Sequence, residues 1–299
     1  MTLLTAQPLA TAVTRTYNVE VPATPPQATV PAIVVFHGGG QDAADIARRW
    51  GVRPPAAVPV PLRNYLLVFP ETHPQLDKEW VHFQTGNSAF PTLDLDFVQE
   101  LLAELTTRAF ATGSATVPTV SADPNLVYAA GFSNGGGTVW QVLNSDLAPR
   151  FQGFAAVGKA LDPEKARHYR QVLATSGQVP APAPVFYLHG TADPGYRPPF
   201  TQQEVELDET LPFFTLREML DRNAVAAGPA VTSLVAGSTG VTEVVLQEFA
   251  GTAAYVHGTV LNGGHNWPTP TTRGNPPVAT HFDTTQAIVD FWRTNAGLP

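Results

Sequence analysis

Gly131-Phe132-Ser133-Asn134-Gly135 follows directly on the apolar run Leu126-Val127-Tyr128-Ala129-Ala130. A G-x-S-x-G turn between a strand and a helix is among the tightest connections a chain can make. Only small residues fit two before and two after the serine. The Ser133 hydroxyl then stands clear of the sheet edge, at the N-terminus of the next helix. Any fold this chain adopts must therefore bring a strand to Phe132 and leave it by a helix.

The rest of the chain holds partners for such a serine, in a fixed order. Pro184 to Leu188 reads as a buried strand, followed by the polar turn His189-Gly190-Thr191-Ala192-Asp193. Tyr255 to Leu261 is another apolar segment, and it leads into Gly263-Gly264-His265-Asn266-Trp267-Pro268. The order nucleophile, acid, base is thus Ser133, Asp193, His265, one of the known chain orders of a Ser-His-Asp triad. Upstream, Ile33 to Phe36 runs into His37-Gly38-Gly39-Gly40. Glycines there let backbone N–H groups approach a developing negative charge with no side chain in the way.

Each part also has a plainer reading. A glycine-rich strand-to-helix turn can cradle phosphate, but residue 137 is Gly where a P-loop needs lysine. Gly38 to Ala43 fits G-x-G-x-x-A, a weak dinucleotide fingerprint whose ribose-binding acid would have to be near Glu71, about ten residues late. Asp193 alone could be a helix cap, and His265 alone a loop histidine. Taken jointly, in order and each after a strand, they point to a catalytic triad.

Composition excludes several other classes. The chain has 299 residues, 43% hydrophobic and 14% charged, which fits a globular protein that could be one domain over 1–299, with 1–16 a loosely ordered N-terminal segment. Net charge is −8 and no basic run exists, so nucleic acid is not an expected partner. No apolar stretch reaches the ~18 residues of a membrane span. Met1 to Thr16 lacks the basic start and apolar core of a signal peptide, so the expectation is an intracellular protein or one whose leader has been removed. Cysteine is absent, which removes disulfides, thiol catalysis and zinc–thiolate sites. No histidine spacing suggests a metal, and no cofactor is expected. The 29 prolines gather between elements and read as stiff connectors.

Periodicity gives alternating elements. Strands are expected at 17–21 (an edge), 30–36, 65–69, the run into the elbow, 151–157, 184–189, 244–249 and 255–261. Helices are expected at 42–49, 94–108, 135–144, 211–226 and 283–295. Such alternation means a mostly parallel sheet covered on both faces, with its site at the strand C-terminal ends.

Four motifs together resemble the α/β-hydrolases, and among them the polyhydroxybutyrate depolymerase and feruloyl esterase group: VFHGGGQD from Val35, GFSNGG from Gly131, HGTADP from His189 and GGHNWP from Gly263. The resemblance runs from about residue 30 to the C-terminus and weakens at 50–64, 75–92 and 195–245. It departs at Gly39, where the depolymerase branch often has cysteine, and at Asn134, where alanine is common. It implies an α/β-hydrolase fold and a serine esterase working through an acyl-enzyme, with Gly39 and Asn134 N–H groups as the oxyanion hole. It also suggests a secreted or periplasmic setting. The substrate would be a small-molecule or polymeric ester: a short or medium acyl, hydroxycinnamoyl or polyester group. A peptidase, amidase or polyamide hydrolase would share the triad, and a non-catalytic binding protein would share the scaffold. Trp267 lies two residues after His265, Trp80 and Phe83 lie in the loop after the 65–69 strand, and Phe132 abuts Ser133. They are expected to line a substrate-binding cleft, with core packing as the alternative. Pro194 to Pro212 is the one candidate cover, and its acidic side chains suit a solvated loop.

Overall fold

The computed structural model describes residues 2–5, 15–52, 62–81, 93–175, 177, 181–196, 211–225, 228, 231–235, 243–270 and 279–299. Its centre is built from strands whose residues are almost all apolar. β3 (Thr29–Phe36), β4 (Leu66–Pro70), β7 (Gly153–Val157) and β8 (Val185–Gly190) are buried nearly end to end. That pattern belongs to parallel strands covered on both faces. Two further central strands are β6 (Thr119–Phe132) and β11 (Tyr255–Val260). The pairs β4–β3, β3–β6, β6–β7, β7–β8 and β8–β11 are all parallel.

Antiparallel strands finish both edges. β1 (Thr2–Thr5) pairs with β2 (Thr16–Glu20), and β2 with β4. At the other side β10 (Val244–Phe249) lies between β11 and β9 (Val231–Val235). A short β5 (Phe110–Ala111) joins β6 off this path. The order is β1-β2-β4-β3-β6-β7-β8-β11-β10-β9, a mostly parallel sheet as the sequence leads one to expect. The strand near residue 17 is not the edge, because β1 lies outside it.

Period-two alternation sends each strand's side chains to two separate cores. Val34, Phe36, Phe154, Ala156 and Tyr187 face a core shared with α2 (Leu93–Thr107), α3 (Asn134–Leu143) and α5 (Leu211–Arg222). Ile33, Val35, Ala155, Phe186 and Leu188 face the other, closed by α1 (Ala43–Arg49) and α6 (Thr284–Asn295). Asp42 starts α1 by a capping box with Asp45, and Asp283 caps α6 through the Gln286 N–H. α4 (Pro163–Thr175) was not expected from periodicity; it is mostly polar and turns Ala166 and Tyr169 inward.

Among the described residues no helix is long and apolar enough to cross a membrane. Because the six central strands run the same way, the segments after β3, β4, β6, β7, β8 and β11 all emerge at one edge.

Candidate active site

Ser133 caps α3 with φ +53° and ψ −120°, a conformation that L-residues seldom adopt. Its N–H donates to the Val157 carbonyl at 2.8 Å, tying the turn to β7. The glycine two residues later is obligatory. A methyl on Gly135 would lie 2.5 Å from the His37 carbonyl oxygen, so α3 can pack against the end of β3 only without a side chain there.

The structure brings Ser133, His265 and Asp193 together. Ser133 Oγ lies 2.7 Å from His265 Nε2, and His265 Nδ1 lies 2.6 Å from Asp193 Oδ2. An ionised carboxylate only accepts, so Nδ1 carries the proton and Nε2 offers its lone pair to the serine O–H. His265 is 40% exposed, open to a reactant, whereas Asp193 is 2% exposed.

Asp193 has a second imidazole against it. His189 Nε2 lies 2.8 Å from the same Oδ2, and the Gly195 N–H donates to Oδ1 at 2.7 Å. Burial pushes the Asp193 carboxyl up, but the bonds from His189 and His265 outweigh it and hold it well below the usual carboxylate range. His189 is deeply buried, which disfavours its protonated form. The neutral ring then donates from Nε2 and accepts the Tyr187 hydroxyl at Nδ1, 2.7 Å away. Behind it His257, pushed down to about 4 by burial, takes the Tyr255 hydroxyl at 2.9 Å and packs 5.1 Å from the Tyr187 ring.

The Gly39 N–H makes no hydrogen bond among the described residues, whereas its neighbours are occupied: Gly38 N–H by Gln41 Oε1 and Gly40 N–H by the Lys78 carbonyl. Asn134 is the first residue of α3. Its side-chain Oδ1 accepts the Trp80 N–H at 2.7 Å. Asn134 thus follows Ser133 at the head of α3 and is tied through Trp80 to the loop after β4, whose Lys78 carbonyl holds Gly40, the residue after Gly39.

The expected aromatic cleft wall needs correction. Trp267 is 0%, Phe132 2% and Trp80 3% exposed. Phe132 ends β6, and strand alternation turns it into the core with Ala130 and Tyr128, where it packs 5.0 Å from the His265 ring. Trp267 folds inward onto Trp50. Trp80 packs edge-on against Phe36, and its indole N–H donates to the His37 carbonyl at 2.9 Å. All three rings pack in the interior beside the segments that carry His37 and His265. Phe83 lies outside the described residues, as does most of the candidate cover between Pro194 and Pro212.

No protein-family model and no curated protein sequence matches the chain. Solved structures do. It is similar to an S-formylglutathione hydrolase from Agrobacterium tumefaciens at 12% identity, over 99% of this chain and 94% of that one, with a TM-score of 0.53. It is similar to an acetyl xylan esterase from Aspergillus awamori at 13% identity, over 84% and 89%, with a TM-score of 0.51. A poly(3-hydroxybutyrate) depolymerase from Bordetella parapertussis matches at 18% identity over 74% and 77%, with a TM-score of 0.45. The chain spans 50% of the length of a thermostable esterase that it also matches, at 17% identity over 74% of this chain and a TM-score of 0.43. With the acetyl xylan esterase and the S-formylglutathione hydrolase the chain shares its fold, the α/β-hydrolase fold.

Proposed function

We propose, with that fold as premise, that the protein is a serine hydrolase of carboxylic esters. One observation carries this reading: the unbroken hydrogen-bonded line from Ser133 Oγ through His265 to Asp193, at 2.7 and 2.6 Å. His265 takes the serine proton as Oγ attacks the ester carbonyl. Asp193 fixes the imidazole tautomer and stabilises the imidazolium. The carbonyl oxygen, now negative, is held by the N–H groups of Gly39 and Asn134, each worth roughly 3–4 kcal/mol to such a step. The intermediate collapses, His265 protonates the departing alkoxide, and the acyl group stays on Ser133. A water activated by the same histidine then releases the acid.

The motif resemblance favours short or medium acyl, hydroxycinnamoyl or polyester substrates. A fluorophosphonate probe should label Ser133. Ser133→Ala should lose activity on p-nitrophenyl esters, methyl ferulate and a polyester film while its circular dichroism stays unchanged. Wild-type turnover in that variant, or label on another residue, would overturn the assignment.

A further inference from the structure

The loop after β4 holds a carboxylate that ester hydrolysis does not call for. Residues 77 and 78, Asp and Lys, both have positive φ, +44° and +62°. Two consecutive left-handed residues are costly, and such strain persists only where the surroundings enforce it. Here they do. The Gly40 N–H donates to the Lys78 carbonyl at 3.3 Å, the Trp80 N–H to Asn134 Oδ1 at 2.7 Å, and the Val81 N–H to Asp94 Oδ2 at 2.5 Å. Asp94 is itself fixed by a buried ion pair with Arg15. The segment is thus pinned to the oxyanion loop, to the residue after the nucleophile and to α2.

What this backbone presents is Glu79. A methyl placed on Gly39 would sit 2.8 Å from Glu79 Oε2 and 2.9 Å from its Cδ. The carboxylate therefore fills the space directly over Gly39, whose N–H makes no hydrogen bond among the described residues and is the proposed oxyanion donor. Glu79 is exposed, and its carboxylate has no hydrogen-bond or ion-pair partner among the described residues. Lys159, after β7, is a cation whose field reaches it, and Asp77 adds a like charge.

A negative group in this position opposes the negative charge that forms on the carbonyl oxygen. For a plain alkyl ester it is a handicap. For a substrate with a donor near the carbonyl it is an acceptor already in place, and a site built around a polar contact discriminates against analogues that leave it unmade. Resting on the proposed ester hydrolysis, we infer that Glu79 is a specificity-determining residue. It favours acyl groups bearing a hydrogen-bond donor, ammonium above all and hydroxyl next, on the carbon beside the scissile carbonyl, and it disfavours alkyl and anionic ones.

Four ethyl esters test this at pH 7 in a pH-stat: alanine ethyl ester, ethyl lactate, ethyl propionate and monoethyl malonate. In the wild type kcat/KM should fall in that order. In Glu79→Gln the preference for alanine ethyl ester over ethyl propionate should shrink by about tenfold or more, with the propionate value itself rising. Monoethyl malonate should gain the most. Melting temperature and fluorophosphonate labelling of Ser133 are followed in both proteins. If both label and turn over esters but the four values keep their ratios, Glu79 does not select substrates and the inference falls alone. If Ser133 is not labelled in either, the ester-hydrolase reading falls with it.

Discussion

His189 and His265 meet on a single oxygen: Asp193 Oδ2 lies 2.8 Å from Nε2 of the first and 2.6 Å from Nδ1 of the second. One imidazole is partly exposed and the other is buried beside Tyr187, so the carboxylate is held by His189 from behind while it holds His265, the proposed base, in front. Removing the rear donor leaves Asp193 charged but less firmly oriented.

His189→Ala should therefore lower kcat by about 10–100-fold, the usual effect of losing a partner one shell from the reaction. His265→Ala should cost about 10³-fold or more. His189→Gln keeps an N–H donor and should recover part of the loss, which a role in packing alone would not produce. Equal losses for the two alanine variants would contradict the assignment of His265 as the base.

Ser133 is strained for its place, not its chemistry. With φ +53° and ψ −120° it occupies a region open to glycine and costly for others, by roughly 1–3 kcal/mol. Ser133→Gly should be inactive yet more stable than Ser133→Ala by about 1 kcal/mol, since both lose the hydroxyl and only glycine relieves the backbone. Urea unfolding of the two variants measures this, and an alanine variant as stable as the glycine one would refute it.

The elements that were readable in the sequence share a physical cause. β3, β7, β8, β11 and the second half of β6, from Val127, are buried from both sides, so each is a mostly apolar run, and the turns after them need glycine. α4 escaped notice because only a thin stripe of it touches the core, and β9 because it is an edge with Val231 and Leu234 exposed. Side-chain direction was the main loss. Closeness in sequence to Ser133 or His265 says nothing of which way Phe132 or Trp267 points; strand alternation and the path of the loop decide that. Glu79 was missed because its meeting with Gly39 depends on two left-handed residues and spans forty positions of chain.

Acid should unfold the protein through its buried histidines. His257 is pushed down to about 4, and His189 and His37 are lowered as well, each chiefly by burial. Unfolded histidines titrate near 6.5, so between that pH and the folded value the unfolded chain binds more protons, and stability falls as pH falls. Asp193, also depressed, extends the same trend below the ordinary carboxylate range. His257 alone accounts for about 3 kcal/mol across this window. The urea midpoint should drop steadily from pH 7 to 4.5. In His257→Gln the slope should be visibly flatter, and an unchanged slope would remove His257 from the account.

Burial changes what substitution of the two tryptophans should do. Trp267→Ala and Trp80→Ala each empty a large, fully packed site and should cost about 3–5 kcal/mol of stability. Trp80→Ala also frees the His37 carbonyl and loosens the loop beside Gly39. Because neither ring faces the open side of Ser133, kcat/KM should fall by a similar factor for acetate, butyrate, octanoate and feruloyl esters. Trp80→Phe keeps the packing but not the indole N–H, and should recover most of the stability while retaining a smaller, equally uniform loss in kcat. The measurement is kcat/KM across the acyl series, paired with melting temperature for each variant. A selective loss on feruloyl or longer acyl esters, with stability unchanged, would instead put these rings in direct contact with substrate.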